Sequence, residues 1–214
     1  MAISKANFNS FNVTPTASKF ITFNSSNNGL AADDVGGSLV LISTQTASSS
    51  STLSFTSGID STYKEYIFKF INCHPSANAA ELQFNLSVDS GSNYNVTKTS
   101  TYFHAEHDEA DNNTDLTYLT SRDLAQSTSF QTLHQGTGTD NDQSISGFLH
   151  LFEPSSTTFV KHFLSQISSY KDDDFNQNTF VAGYGNTTSA INAVQFKFSS
   201  GNIDSGVIKM YGVS

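Results

Sequence analysis

One cysteine, three prolines, two methionines and no tryptophan occur in this chain of 214 residues, and lysine and arginine together number only 10. A single thiol, Cys73, cannot close an intrachain disulfide, so folding does not depend on oxidation, and Cys73 reads as a small buried thiol at a strand end. No apolar run approaches the length of a membrane span, and the opening MAISKANFNSF lacks an apolar signal core. The sequence therefore predicts synthesis in the cytoplasm without export by the ordinary route. Ten cations against 19 anions give a net charge of -9, with no local Lys/Arg cluster, which argues against nucleic acid and anionic membranes as partners. A G-x-S-x-G elbow, a twelve-residue calcium loop, a phosphate loop and a solenoid repeat are all missing as well.

What the chain does have is alternation. In Lys64 to Asn72, KEYIFKFIN, the side chains of Tyr66, Phe68 and Phe70 share one face and Ile67, Lys69 and Ile71 the other. In Glu81 to Val88, ELQFNLSV, the residues Leu82, Phe84, Leu86 and Val88 alternate with polar ones. Similar short runs recur to the C-terminus between polar turn-formers such as Asp89-Ser90-Gly91, Pro154-Ser155 and Asp172 to Asp174. The pattern predicts an all-β fold, an antiparallel, jelly-roll-like β-sandwich of about ten strands. KEYIFKFIN is apolar on both faces, so its second face is expected to be covered by the arm, by another strand layer or by a neighbouring subunit.

Two stretches depart from this rhythm. Residues 1–37 hold short apolar islands in Asn/Ser/Thr-rich sequence and read as an extended arm, with Phe8, Phe11, Phe20 and Phe23 as its anchoring residues. The sandwich then spans 38–214, with a long polar insertion at about 104–142. Within that insertion, DLTYLTSRDLA is compatible with a short helix or an extra hairpin.

Candidate chemistry is sparse. His104, Glu106, His107, Asp108, Glu109 and Asp111 include ligand types suited to zinc. On a strand, however, His104 and Glu106 share a face while His107 takes the other. The spacing closes no site by itself, and the segment reads as a solvated strand end running into an acidic loop. Lys171 to Asp174 reads as a solvated turn, and Asp89 to Asn93 as a hairpin turn. Many carboxylate pairs could be drawn among Glu65, Glu81, Glu106, Glu109 and Glu153, and nothing distinguishes one. We expect no catalytic residues, no cofactor and no bound metal. Surface contacts to a ligand or partner are assigned to Tyr94, Tyr102, His104, His107, Tyr118, Tyr170 and Tyr184, which lie near turns or in the insertion.

The stretch Thr46 to Tyr63, TASSSSTLSFTSGIDSTY, the aromatic strand after it, the turn DSGSNY at Asp89 to Tyr94 and the tail FVAGYGNTTSAINAVQFKFSSGNIDSGVIKMYG from Phe180 resemble a domain of tailed-bacteriophage, especially marine-phage, fibre and virion proteins. The resemblance covers about Gly36 to Ser214. It implies a β-sandwich, commonly trimeric, displayed on the virion surface after assembly in the host cytoplasm. It carries no catalytic residues to this chain. The expected partners are further copies of the chain and other virion proteins, capsid or tail, reached through the arm. A host-surface glycan is the alternative ligand, recognised by a tail-fibre tip.

Overall fold

The computed structural model describes residues 20–23, 30–33 and 39–214. The chain divides into two compact units, Met1–Ser38 and Leu39–Ser214. In the first, β1 (Phe20–Phe23) and β2 (Leu30–Asp33) pair antiparallel, with Phe20 opposite Asp33 and Phe23 opposite Leu30. Phe8 and Phe11 lie outside the described residues.

The second unit is an antiparallel β-sandwich, and no helix occurs among the described residues. Its strands are β3 (Leu39–Thr46), β4 (Leu53–Phe55), β5 (Glu65–Pro75), β6 (Ala80–Ser87), β7 (Lys98–Asp108), β8 (Thr114–Tyr118), β9 (Gln131–Thr137), β10 (Ile145–Phe152), β11 (Lys161–Tyr170), β12 (Phe175–Gly185), β13 (Ala193–Phe198) and β14 (Ile203–Val213). An eight-stranded sheet runs β3-β14-β5-β10-β11-β12-β7-β8, and a four-stranded sheet runs β4-β13-β6-β9. The segment expected to be an insertion thus supplies a strand to each sheet, β8 to the large one and β9 to the small one.

The two runs with the clearest alternation, now β5 and β6, belong to opposite sheets. Their inward rows, Tyr66, Phe68 and Phe70 on one and Leu82, Phe84 and Leu86 on the other, are all buried. The turn at Asp89 to Asn93 is accordingly a passage between the sheets, from β6 to β7, and not a hairpin. Its local chemistry is as expected of a turn: Asp89 Oδ1 accepts from the Asn93 amide at 2.9 Å, and Ser90 and Gly91 have φ of 59° and 87°.

Cys73 is fully buried near the end of β5, and burial pushes its thiol up to about 12. Beside it, Gly206 has φ of 118° at a register shift between β14 and β5, and a Cβ there would stand 2.6 Å from Cys73 Cα. Only glycine meets both conditions.

The interior is not uniform. Beneath β14, β5 and β10 it is aromatic and aliphatic; beneath β11, β12 and β7 it includes the buried polar residues Ser100, His104, Gln131, His134, Ser169, Gln177 and Thr179. Both ends of the gradient matter for the site.

Candidate functional site

Alternation in β7, β10, β11 and β12 sends one residue in two away from the small sheet. On β10 these are Phe148, His150 and Phe152; on β11, His162, Leu164 and Gln166; on β12, Asn178, Phe180 and Tyr184. The register aligns them across strands: Phe148 faces Gln166, Gln166 faces Phe180, Phe180 faces Phe103 on β7, and Phe103 faces Tyr118 on β8. The rings of Phe103 and Phe180 stack at 5.0 Å and 10°. Leu164 is 49% exposed and Leu116 72%.

Small residues between these rings leave depressions. One of about 510 Å³ is lined by Thr101, Phe152, His162, Leu164, Ala182 and Tyr184 among others. Its neighbour, of about 330 Å³, shares Leu164 and Ala182 and adds Phe103, Phe148 and Phe180. Ala182 sits in the row Leu164–Ala182–Thr101, where any larger side chain would fill the gap.

The charge pattern of this face is its most informative property. Every Lys, Asp and Glu on β7, β8, β10, β11 and β12, namely Lys98, Glu106, Asp108, Asp115 and Lys161, falls on the inward phase of its strand. Apart from histidines, the outward face of five adjacent strands carries no ionisable cation or carboxylate, in a chain of net charge -9. Charges return only on β5 and β14, where Glu65 pairs with His150 and Lys69 Nζ lies 5.4 Å from the Tyr211 ring. There, too, the second face of β5 is uneven: Ile67 is 8% exposed and Ile71 is 41% exposed.

The inward side of the same edge is polar. His134 bonds Ser169 Oγ through Nε2 at 2.7 Å and Thr179 Oγ1 through Nδ1 at 3.1 Å. Burial first, with the nearby Lys171 and His104, pulls His134 down to about 3, so the ring is neutral. This serine–histidine contact has the look of a nucleophile and base, but His134 is 0% exposed and its other nitrogen meets a threonine where a carboxylate would be needed. The contact is core structure. Further along, Gln177 Nε2 donates to Glu106 Oε2 at 2.7 Å, and Lys171 Nζ lies 3.4 Å from the same oxygen. Three of the other carboxylates considered are engaged as well: Glu65 by His150, Glu81 by Arg122 at 2.7 Å, and Glu153 by Lys64 at 2.8 Å.

Of the residues assigned to surface contacts, Tyr118, Tyr184 and His107 reach the outward face, joined at its far end by Tyr170. Tyr170 donates to Asp174 Oδ1 at 2.9 Å, and that bond raises its hydroxyl to about 12. His107 pairs with Asp111 at 3.1 Å. Two assignments are corrected: Tyr102 and His104 point into the sandwich and are buried, because they share the inward phase of β7. Tyr94 is half-buried in the passage between β6 and β7, away from the face. Phe20 and Phe23 lie in β1.

The residues that make the face, Phe103, Phe148, Phe152, His162, Leu164 and Phe180, were missed. A signal for them existed: apolar side chains at both phases of one strand, the property noted for KEYIFKFIN, recurs in GFLHLF and TFVAGY. Set against models of known families, curated proteins and solved structures, the chain matches none.

Proposed function

We propose that this chain is a non-enzymatic structural protein of a tailed-bacteriophage particle. It is an exposed appendage, a capsid decoration, head fibre or short fibre, that associates with further copies of itself and is anchored through residues 1–37. The observation that carries this reading is the charge-free outward face of β7, β8, β10, β11 and β12. Charge depletion with aromatic enrichment is the composition of an interface core. Five strands about 4.8 Å apart, each rising about 3.3 Å per residue, offer on the order of 700 Å², close to the roughly 800 Å² each partner buries in a stable complex. A second copy fits better than a charged partner, since the rest of the surface is anionic and a basic partner would find nothing on this patch to pair with. The phage resemblance supports the placement on a virion and a trimer as the assembly.

Leu164→Glu places a carboxylate in the middle of the patch without touching the core. Light scattering after size exclusion is expected to give an oligomeric wild type and a monomeric variant with unchanged circular dichroism. Equal masses for the two would remove the face from the assembly. For the anchor, particles assembled with a chain lacking residues 1–37 are expected to lose the protein; retention at wild-type level would end that part of the proposal.

The same face supports a second reading, recognition of a host-surface glycan by a receptor-binding tip. The parallel rings of Phe103 and Phe180, edged by the amides of Gln166 and Asn178, form the flat apolar surface with polar rim on which sugar rings stack. A glycan array probed with wild type and Phe180→Ala distinguishes it: binding lost in the variant favours this reading, and no binding by wild type counts against it.

A further inference from the structure

We propose that β7 and β8 hold a divalent transition-metal ion between them, with His104, Glu106 and Asp115 as its protein ligands. His104 and Glu106 lie two residues apart on the inward phase of β7, and the register places Asp115 of β8 directly opposite Glu106. One ligand atom from each of the three residues can be chosen so that all lie within 4.8 Å of one another. A cation about 2.0–2.2 Å from each ligand holds the ligand atoms roughly 3.3 Å apart, a spacing that falls inside the 4.8 Å within which these three atoms lie.

The independent pointer is His104 itself. The residue is 4% exposed, its Nδ1 is buried without a hydrogen-bond partner, and its Nε2 lies 3.8 Å from Glu106 Oε2, too far for a hydrogen bond. An imidazole sealed among polar groups, with its Nδ1 left without a partner, is costly unless something binds it. Its surroundings would position ligands for a cation. The Gln177 amide fixes one oxygen of Glu106, and Asp115 accepts from the Leu116 amide at 2.8 Å and from the Thr117 hydroxyl. Lys171 is the cation beside Glu106, 3.4 Å from its Oε2, and it is also held by Asp173 at 3.1 Å. The carboxylates of Glu106, Asp115 and Asp173, set against the one ammonium of Lys171 that Glu106 and Asp173 share, leave a net charge that a divalent ion matches.

One imidazole with two carboxylates suits zinc or manganese more than calcium, which prefers six to eight oxygens. Three protein ligands leave the fourth position of a tetrahedral ion to water. Its role is structural: β8 is an edge strand paired only with β7, with four of its five residues exposed, and a cation bridging the pair fastens it.

The test uses the full chain, stripped with a chelator and dialysed against zinc. One zinc per chain is expected, with a Tm rise of roughly 5–10 °C at a hundredfold excess over Kd. Cobalt in place of zinc is expected to show the absorption of a low-coordinate site. Asp115→Asn, at an exposed position, is expected to weaken zinc binding at least tenfold while leaving the fold intact; His104→Gln gives the same loss. His107→Ala, on the opposite face, is expected to bind as wild type. A wild-type chain that retains no zinc overturns the proposal, as does zinc bound equally well by Asp115→Asn and His104→Gln.

Discussion

Phe196→Ala is expected to destabilise the sandwich by about 3–5 kcal/mol, near the upper end for a single core truncation. Phe196 lies on β13 in the small sheet and is fully buried. Its ring stands 5.3 Å from Phe68 and 5.2 Å from Phe70, both on β5 in the large sheet, and 6.2 Å from Phe55 and 6.4 Å from Phe84 within its own sheet. Phe84 continues the cluster to Phe163 on β11 at 5.0 Å. With no tryptophan to fill volume, phenylalanine edges and faces supply the inter-sheet packing, and this one ring touches both layers. Truncation leaves a cavity walled by four rings on rigid strands, which cannot collapse to fill it. Urea unfolding should show a lower midpoint at unchanged m, and a Tm lower by about 10 °C or more. Phe159→Ala, at a site 66% exposed, should change stability by less than about 0.5 kcal/mol. A loss below about 1 kcal/mol in Phe196→Ala would mean the cluster does not hold the sheets together.

The same packing explains which parts of the fold were legible. Strands such as β5 and β6 lie over the aromatic half of the interior, so their alternation is written in Phe, Tyr and Leu. Two strands of the sandwich, β8 left open between helix and hairpin and β9 not read at all, escaped for opposite reasons. β8, TDLTY, has no fully buried residue, so nothing selects for alternation. β9, QTLHQGT, is almost wholly buried, but in the polar half, where Gln131 bonds Ser100 and the Arg122 carbonyl, Thr132 donates to Glu81, and His134 bonds Ser169 and Thr179. Hydrophobic periodicity reports neither case. Sheet membership was also hidden, because a polar turn with Asp, Gly and Asn serves a passage between sheets as well as a hairpin. For the candidate metal ligands, the shared face of His104 and Glu106 was readable from spacing, whereas Asp115 enters only through the pairing of β7 with β8. The outward face followed a rule already visible at Ile67 and Ile71, which recurs in GFLHLF of β10 and TFVAGY of β12.

Stability is expected to rise with pH between about 7 and 9, by roughly 2–3 kcal/mol, because of Lys98. Lys98 begins β7 and is fully buried; its ammonium donates to Asn85 Oδ1 and, at 2.8 Å, to the Val96 carbonyl, and has no carboxylate partner among the described residues. Loss of hydration pulls it down from 10.5 to about 7. Above pH 7 the native chain gives up this proton while the unfolded chain holds it until about 10.5, so the unfolded state binds more protons and rising pH favours the native state. Below pH 7 both states are protonated and the penalty is constant. The window closes from above, because Cys73, raised from 9.0 to about 12, keeps its proton natively where the unfolded thiol loses it, and this opposes the gain above pH 9. Lys98→Met keeps the length of the stem and removes the charge. Urea unfolding of both proteins at pH 7 and pH 9 should show the rise in wild type and its loss in the variant. Parallel profiles would mean that the carbonyls of Asn85 and Val96 hold the ammonium charged throughout, and that the base of β7 tolerates a full charge behind the face that carries none.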